Sequence, residues 1–161
     1  MLSNPLWHIT ETALTNLIGA DEQVDQSDYG ASVAITLGDG VRPNSGEFLS
    51  FAFFSTETGS GAVQTPAGIL LLLDADPAVA AGDTSITAAE RITVLGHVKV
   101  GSSDWQSDAS GGSAYIYNQP VTFHNLHTIY AVWSHQDATS FNDAGGDDEI
   151  LQVKAWYRRD S

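Results

Sequence analysis

The sequence predicts an all-β fold: a two-sheet antiparallel β-sandwich, in plain or jelly-roll form, with an N-terminal arm or short helix. Apolar and polar residues alternate with a period of two in about eight segments. Turn-forming Gly, Asp and Asn residues separate these segments. The chain of 161 residues shows no repeat of fixed period and is long enough to bury one substantial core. Strands of this number and spacing favour two packed sheets.

The predicted strands begin after residue 30. Segments 47–55 and 68–73 are so apolar that both of their faces are expected to be covered. Gly96 interrupts a strand pattern, which indicates a bulge or the close approach of another segment. The predicted strands are 32–37, 47–55, 68–73, 91–100, 114–117, 121–123, 128–135 and 150–159.

Two other segments have their own predictions. Thr87 and Glu90 have the spacing of a capping box, which predicts one helical turn before the strand at 91–100. Residues 101–112 are rich in Ser, Gly and Asp and are predicted to form a loop that carries Trp105.

The first 30 residues are predicted to form an arm, and residues 31–161 the sandwich domain. Within the arm, Thr10 and Gly19 are suitable caps for a helix over 10–19. The threonines between them weaken a helix, so an extended arm is the alternative.

The charge of the chain excludes several classes of partner. Twenty acidic residues against six basic ones give a net charge of −14, which opposes binding to nucleic acid and to anionic membranes. No Cys residue is present, so no disulfide framework is expected. The first residues lack the basic and apolar regions of a signal peptide, which predicts synthesis in a cytoplasm without secretion.

No catalytic motif stands out, and the chain is expected not to be an enzyme. The sequence has no Gly-x-Ser-x-Gly elbow, phosphate loop or zinc signature. His124, His127 and His135 would suit a cupin-like metal enzyme only if they converged. No cofactor is expected except calcium, for which the loop at 142–149 offers clustered carboxylates. The candidate calcium ligands are Asp143, Asp147, Asp148 and Glu149.

The terminal strand combines an apolar face with a cationic and aromatic face. Alternation over 150–159 places Leu151, Val153, Ala155 and Tyr157 on the first face, and Gln152, Lys154, Trp156 and Arg158 on the second. The cationic face suits the acidic surface of a neighbouring copy. The predicted interface residues are Trp7, Lys154, Trp156, Arg158 and Arg159.

A second group of aromatic residues suggests a different ligand. Tyr115 and Tyr117 share one face of their strand, and Trp105 lies in the preceding loop. Aromatic platforms on β-sandwiches suit sugar rings, so a carbohydrate-binding module, with a structural calcium ion in some cases, is the alternative function.

The chain as a whole resembles a bacteriophage virion protein, most closely a head decoration (cement) protein. The resemblance rests on the arm ending in Asp28-Tyr29-Gly30, on 73–77 through 96–98, and on the loop 142–149 before Trp156-Tyr157-Arg158-Arg159. It implies a β-sandwich, often a homotrimer, that sits on the virion and binds the major capsid protein and copies of itself. It also implies that the arm grips the shell or a sister subunit. Tail, neck and fibre proteins share the same character.

Overall fold

The structure, a computed structural model, describes residues 9–59, 61–142 and 148–160. Two antiparallel sheets pack against each other, which confirms the predicted all-β sandwich. The larger sheet contains β1 (Ile9–Glu11), β2 (Thr15–Ile18), β4 (Asn44–Glu57), β7 (Trp105–Ser107), β8 (Gly111–Leu126) and β10 (Glu149–Arg159). The smaller sheet contains β3 (Val33–Thr36), β5 (Gly68–Leu73), β6 (Val94–Val100) and β9 (Thr128–His135). Helix α1 (Ala88–Arg91) and a 3₁₀ turn (Ser102–Asp104) complete the described elements.

The order of the strands places β10 and β4 in the middle of the larger sheet. This sheet runs β1-β10-β4-β8-β7, and β2 pairs with the same side of β10 as β1. The smaller sheet runs β3-β9-β5-β6. None of the helices in the described ranges has the length and apolarity needed to cross a membrane.

The alternation predicted for the terminal strand is confirmed. Leu151, Val153, Ala155 and Tyr157 of β10 are all at most 1% exposed and lie in the core between the sheets. The intervening side chains are half-buried on the opposite side of the sheet. A strand in the middle of a sheet that covers a core on one side shows this pattern because its side chains alternate between the two faces.

The core under β10 is aromatic. The ring of Tyr157 packs edge-on against Phe48 and Phe123, with centroids 5.7 and 5.8 Å away. Its hydroxyl accepts a hydrogen bond from the Gly38 backbone N–H at 2.7 Å. The glycine turn at 38–40 is therefore fastened to the larger sheet by the polar end of a buried ring.

The helical alternative for residues 10–19 is wrong. Ile9–Glu11 and Thr15–Ile18 are strands that pair with β10. Thr12, between these two strands, also binds β10. Its backbone N–H donates to Ala155 O at 2.8 Å, and its hydroxyl accepts from Ala155 N–H at 3.0 Å. A helix would leave these backbone groups of β10 unpaired. Leu17, Ile18 and Val24 belong to the core, so the described part of the predicted arm is built into the sandwich.

Two predictions about β8 and the segment before it were wrong. The predicted strands 114–117 and 121–123 are parts of one long strand, β8. The turn-forming residues between them, including Pro120, sit in a bulge, since Val121 pairs with Phe48 but Tyr117 pairs with Ser50. The predicted loop 101–112 contains the 3₁₀ turn and β7.

Two local predictions are confirmed. The pairing of β5 with β6 shifts after Leu72, opposite Gly96, and a Cβ on Gly96 would lie 2.9 Å from the methyl groups of Val121. Both a bulge and a close approach therefore occur there. Thr87 and Glu90 form a capping box, in which Thr87 N–H donates to Glu90 Oε2 at 2.7 Å and Glu90 N–H donates to Thr87 Oγ1 at 3.3 Å.

Gly68→Ala is expected to destabilise the fold by about 1–3 kcal/mol. A Cβ at Gly68 would overlap the indole ring of Trp133, which is fully buried and has no room to move. The matched control is Gly101→Ala, because a Cβ there meets nothing closer than 3.4 Å. Urea unfolding measures both. Equal midpoints for the two variants would contradict this account of the packing.

Candidate functional site

The solvent-facing side of the larger sheet collects aromatic side chains from three strands, β4, β8 and β10. The register places Trp156, Ser50 and Tyr117 in one cross-strand row, and Lys154, Ala52 and Tyr115 in the next. We call this surface the outer face. Its members are Ile9, Leu14, Leu49, Ser50, Phe54, Ser113, Tyr115, Tyr117, Gln152, Lys154 and Trp156.

The alternation of side chains along each strand determines which residues reach the outer face. In β8, Ala114 points into the core, so its neighbour Tyr115 and the next alternate residue, Tyr117, point outward. In β4 and β10 the same alternation sends Phe54 and Trp156 to the outer face.

The aromatic rings of the outer face are close together. Tyr115 and Tyr117 have ring planes within 12° of parallel and centroids 6.5 Å apart. Phe54 meets Tyr115 edge-on, with centroids 6.3 Å apart. The two tyrosines and Trp156 line a groove of ≈ 350 Å³, and Ile9, Leu49 and Ser50 complete its walls. This arrangement can hold an apolar surface or the flat face of a ring.

The prediction that segment 47–55 is covered on both faces was wrong for one face. Phe48, Phe51 and Phe53 are buried in the core. Phe54 on the opposite side is only half-buried. On this side Phe54 contacts Tyr115 of the neighbouring strand, which is itself 49% exposed, so this part of the sheet faces solvent.

The basic side chains of the terminal strand are engaged within the chain. Lys154 Nζ lies 3.0 Å from Glu11 Oε2 and 5.8 Å from the centroid of the Trp156 ring. Arg158 forms an ion pair with Glu47, and Arg159 Nη1 donates to Asn44 Oδ1 at 3.2 Å. Partly exposed pairs of this kind contribute about 1 kcal/mol or less to stability. Their larger effect is to neutralise the charge beside the aromatic groove.

The structure locates four of the five predicted interface residues, and the surface around them differs from the cationic one predicted. Trp156 and Lys154 lie on the outer face, while Arg158 and Arg159 follow at its end next to Glu47 and Asn44. Trp7 lies outside the described residues. Because Lys154 and Arg158 are each paired with a carboxylate, the surface around Trp156 is aromatic with paired charges rather than cationic.

A second, more polar groove adjoins the outer face at Phe54 and Tyr115. Its volume is ≈ 640 Å³, and Gln106, Asp108 and Ser113 contribute to its lining. The Ser110 backbone N–H, the Ser110 hydroxyl and the Gly111 N–H donate to the Asp108 carboxylate and hold its pKa below its usual range. Asp108 is accordingly ionised at neutral pH and fixed at the β7–β8 turn.

The three residues of the predicted glycan platform do not all come together. Tyr115 and Tyr117 are neighbours on the outer face, but Trp105 pairs with Ala114, whose side chain is in the core. The indole of Trp105 packs against the core and donates its Nε1–H to Pro66 O at 2.9 Å. Trp105 is thus a structural residue on the inner side, and Trp156 takes the third aromatic position.

Glu149, a predicted calcium ligand, is held by donors. Its fully buried carboxylate accepts hydrogen bonds from the Ser55 hydroxyl and from Gln64 N–H, the latter at 2.7 and 2.6 Å to its two oxygens. Asn142 accepts from Glu149 N–H and donates to Glu149 O, both at 2.8 Å. Both oxygens of this carboxylate therefore accept hydrogen bonds from donors within the fold.

The other candidate calcium ligands stay predictions. The backbone of Asp148 accepts from Thr58 N–H and donates to the Glu57 carboxylate, while Asp143 and Asp147 lie outside the described residues. Among residues 9–59, 61–142 and 148–160, no three His, Asp or Glu side chains cluster as metal ligands.

The three histidines do not converge. His127 precedes β9 and His135 ends it, so about 26 Å of extended strand separates them. His124 and His127 are exposed, whereas His135 is buried, donates its Nε2–H to Thr139 O at 2.8 Å and packs against Phe141.

The sequence matches no protein-family model and no curated protein. The fold and the outer face are therefore the observations from which a function is inferred.

Sequence reasoning missed several members of the outer face. Phe54, Ile9 and Leu14 were not singled out, although the alternation of β4 was a signal for Phe54. The neighbours of Tyr115 and Trp156 depend on pairing between distant segments. Paired residues are more than 50 positions apart for β4 with β8, and more than 90 for β4 with β10. Periodicity within one segment carries no information about such pairing.

Glu149→Gln is expected to lower the free energy of unfolding by about 1–3 kcal/mol, because a side-chain NH₂ group would face donors at Ser55 or Gln64. Thermal and urea unfolding measure the change. Asp74→Asn, at an exposed position, serves as the matched control and is expected to have little effect. If calcium raised the melting temperature of the wild type but not of Glu149→Gln, Glu149 would be a calcium ligand and this assignment would be wrong.

Proposed function

We propose that this chain is a non-enzymatic structural protein of a virion, a head decoration protein that stabilises a capsid by binding it. The outer face is its protein-docking surface. The observation that carries the proposal is the clustering of exposed apolar side chains. Of the six large apolar residues that are exposed in the described part of the chain, four lie on the outer face: Ile9, Leu14, Tyr115 and Tyr117, at 61%, 50%, 49% and 67% exposed.

Such clustering is unfavourable for a surface that only contacts water. Each square ångström of apolar surface left in water forgoes about 25 cal/mol of stabilisation. Single exposed apolar residues are common, but a contiguous patch is typical of a binding surface. Tyr and Trp, which are prominent here, are enriched in protein interfaces.

The resemblance to decoration proteins supports the virion as the location. It implies that the major capsid protein and copies of the same chain are the partners, with a homotrimer as the assembly. The net charge of −14 supports a protein partner over nucleic acid.

Virions purified from an infected culture of the source organism are expected to carry this chain on their shells, as detected by immunogold labelling. Purified chain added to shells that lack it is expected to co-sediment, and Tyr117→Ser is expected to weaken retention at least about tenfold. Ile92→Ser is the matched control, because Ile92 is 84% exposed beside α1, outside the outer face. Absence of the chain from shells, or equal retention of both variants, would contradict the proposal.

A carbohydrate-binding module is the second candidate, and one cross-strand row favours it. Gln152, Phe54, Ser113 and Gln106 follow one another across the sheet beside Tyr115. Amide and hydroxyl groups next to aromatic rings match the polar edge and apolar face of a sugar ring.

Binding on a glycan array that Tyr115→Ala abolishes and Ile92→Ala preserves is the outcome expected of this second candidate. Trp105→Ala is unsuitable for the test because Trp105 packs against the core. If the chain binds nothing on the array, the carbohydrate-binding candidate is wrong and the virion proposal is unaffected.

A further inference from the structure

We propose that the polar groove beside the outer face binds a guanidinium group, the side chain of an arginine on the shell protein to which the outer face docks. The inference rests on the proposed function, and it names the chemistry of one anchor that this function uses. The groove has a volume of ≈ 640 Å³ and shares Phe54 and Tyr115 with the outer face. A partner that covers these two rings therefore reaches the groove as well.

Asp108 gives this groove a charge that nothing in the chain balances. It is the one charged side chain among the described residues of the lining, which are otherwise Ser, Thr, Gly, Gln, Phe and Tyr. All six basic residues of the chain lie in the described ranges, and none of them lines the groove. A neutral partner would cover an ionised carboxylate without supplying a counter-charge, which is unfavourable. A cation on the partner removes this penalty.

The carboxylate of Asp108 is already held in position. The Ser110 backbone N–H and hydroxyl each donate to its Oδ1 at 2.8 Å, and the Gly111 N–H donates to the same oxygen at 3.2 Å. None of these three bonds uses Oδ2, which is left to accept from a ligand. An acceptor that is fixed before binding loses less conformational entropy when the ligand arrives.

The walls of the groove favour arginine over lysine. Asp108 N–H donates to Gly111 O at 2.9 Å, and Gly111 pairs with Thr56, two residues along the strand from the pair of Ser113 with Phe54. About 7 Å of extended strand thus separates the row of Asp108 from the row of Phe54, with the bare backbone of Gly111 between them. A planar guanidinium can stack on a ring while its N–H groups donate to a carboxylate and to hydroxyls, whereas an ammonium is a compact, strongly hydrated charge.

An NMR titration of the isotope-labelled full chain with N-acetyl-arginine methylamide tests the inference. Saturable shifts are expected for the backbone amide signals of Ser110, Gly111 and Ser113. The corresponding citrulline and lysine amides are the matched probes. Citrulline keeps the stem and the planar head without the charge, and lysine keeps the charge without the planar head. Each is expected to bind at least about threefold more weakly than the arginine amide.

Two variants of equal charge change locate the effect. Asp108→Asn removes the charge but keeps an oxygen that can accept the bonds of the turn, so the fold is expected to persist. It is expected to weaken binding of the arginine amide at least about threefold and to leave the citrulline amide unaffected. Asp74→Asn, at an exposed position outside the groove, is expected to keep the wild-type value for both probes.

Retention on shells identifies the source of the arginine. Asp108→Asn is expected to weaken retention at least about threefold. Arg42→Gln, which changes an exposed arginine of this chain, is expected to leave retention unchanged because the anchor belongs to the shell. If Arg42→Gln weakened retention as much as Asp108→Asn, the arginine would be that of a sister copy and its assignment to the shell would be wrong.

Three further results would overturn the inference: equal binding of the arginine and citrulline amides, equal binding of the arginine amide by Asp108→Asn and the wild type, or a glycan whose binding Asp108→Asn abolishes. The proposed function is judged separately through Tyr117. Shells that release Tyr117→Ser but retain Asp108→Asn like the wild type would overturn the arginine anchor alone. A chain that binds the arginine amide through Asp108 but is absent from shells would overturn the virion role.

Discussion

The pairing of β10 along both of its edges is the constraint on which the rest of this structure depends. One edge pairs with β4 from Glu149 to Arg159, and the other pairs with β1 and β2. These pairings turn the first described residues into strands and commit Tyr157 to the core. They also send Trp156 and Lys154 to the opposite side. The core and the outer face are thus two consequences of one strand in the middle of a sheet.

Buried polar groups hold the ends of this arrangement. The carboxylate of Glu149, at the start of β10, binds Ser55 of β4 and the backbone of Gln64. The hydroxyl of Tyr157, near the other end, accepts from Gly38. Each partner belongs to a segment distant in sequence, so these hydrogen bonds fix how loops meet the larger sheet. Among the acidic residues that the structure describes, Glu149 is the buried one, and it organises the interior rather than charging the surface.

Charge pairing within the larger sheet gives the outer face its character. An acidic chain that used its few cations to attract a partner would leave them without acids nearby. Here Lys154 and Arg158 each have a carboxylate beside them. In the function proposed above, the docking surface is the aromatic surface formed by Phe54, Tyr115, Tyr117 and Trp156, which would select a partner through shape and desolvation rather than through long-range attraction.

The sequence by itself determined the class of fold, the positions of most strands and the inward side of β10, because alternation and turn chemistry are local. It also determined the capping box at Thr87 and the crowding at Gly96. Only the tertiary structure decided that Tyr115 joins Trp156 while Trp105 turns inward, and that Glu149 faces hydrogen-bond donors. These outcomes depend on which strands pair and in which register. Register is set by contacts between distant segments, which no local pattern contains.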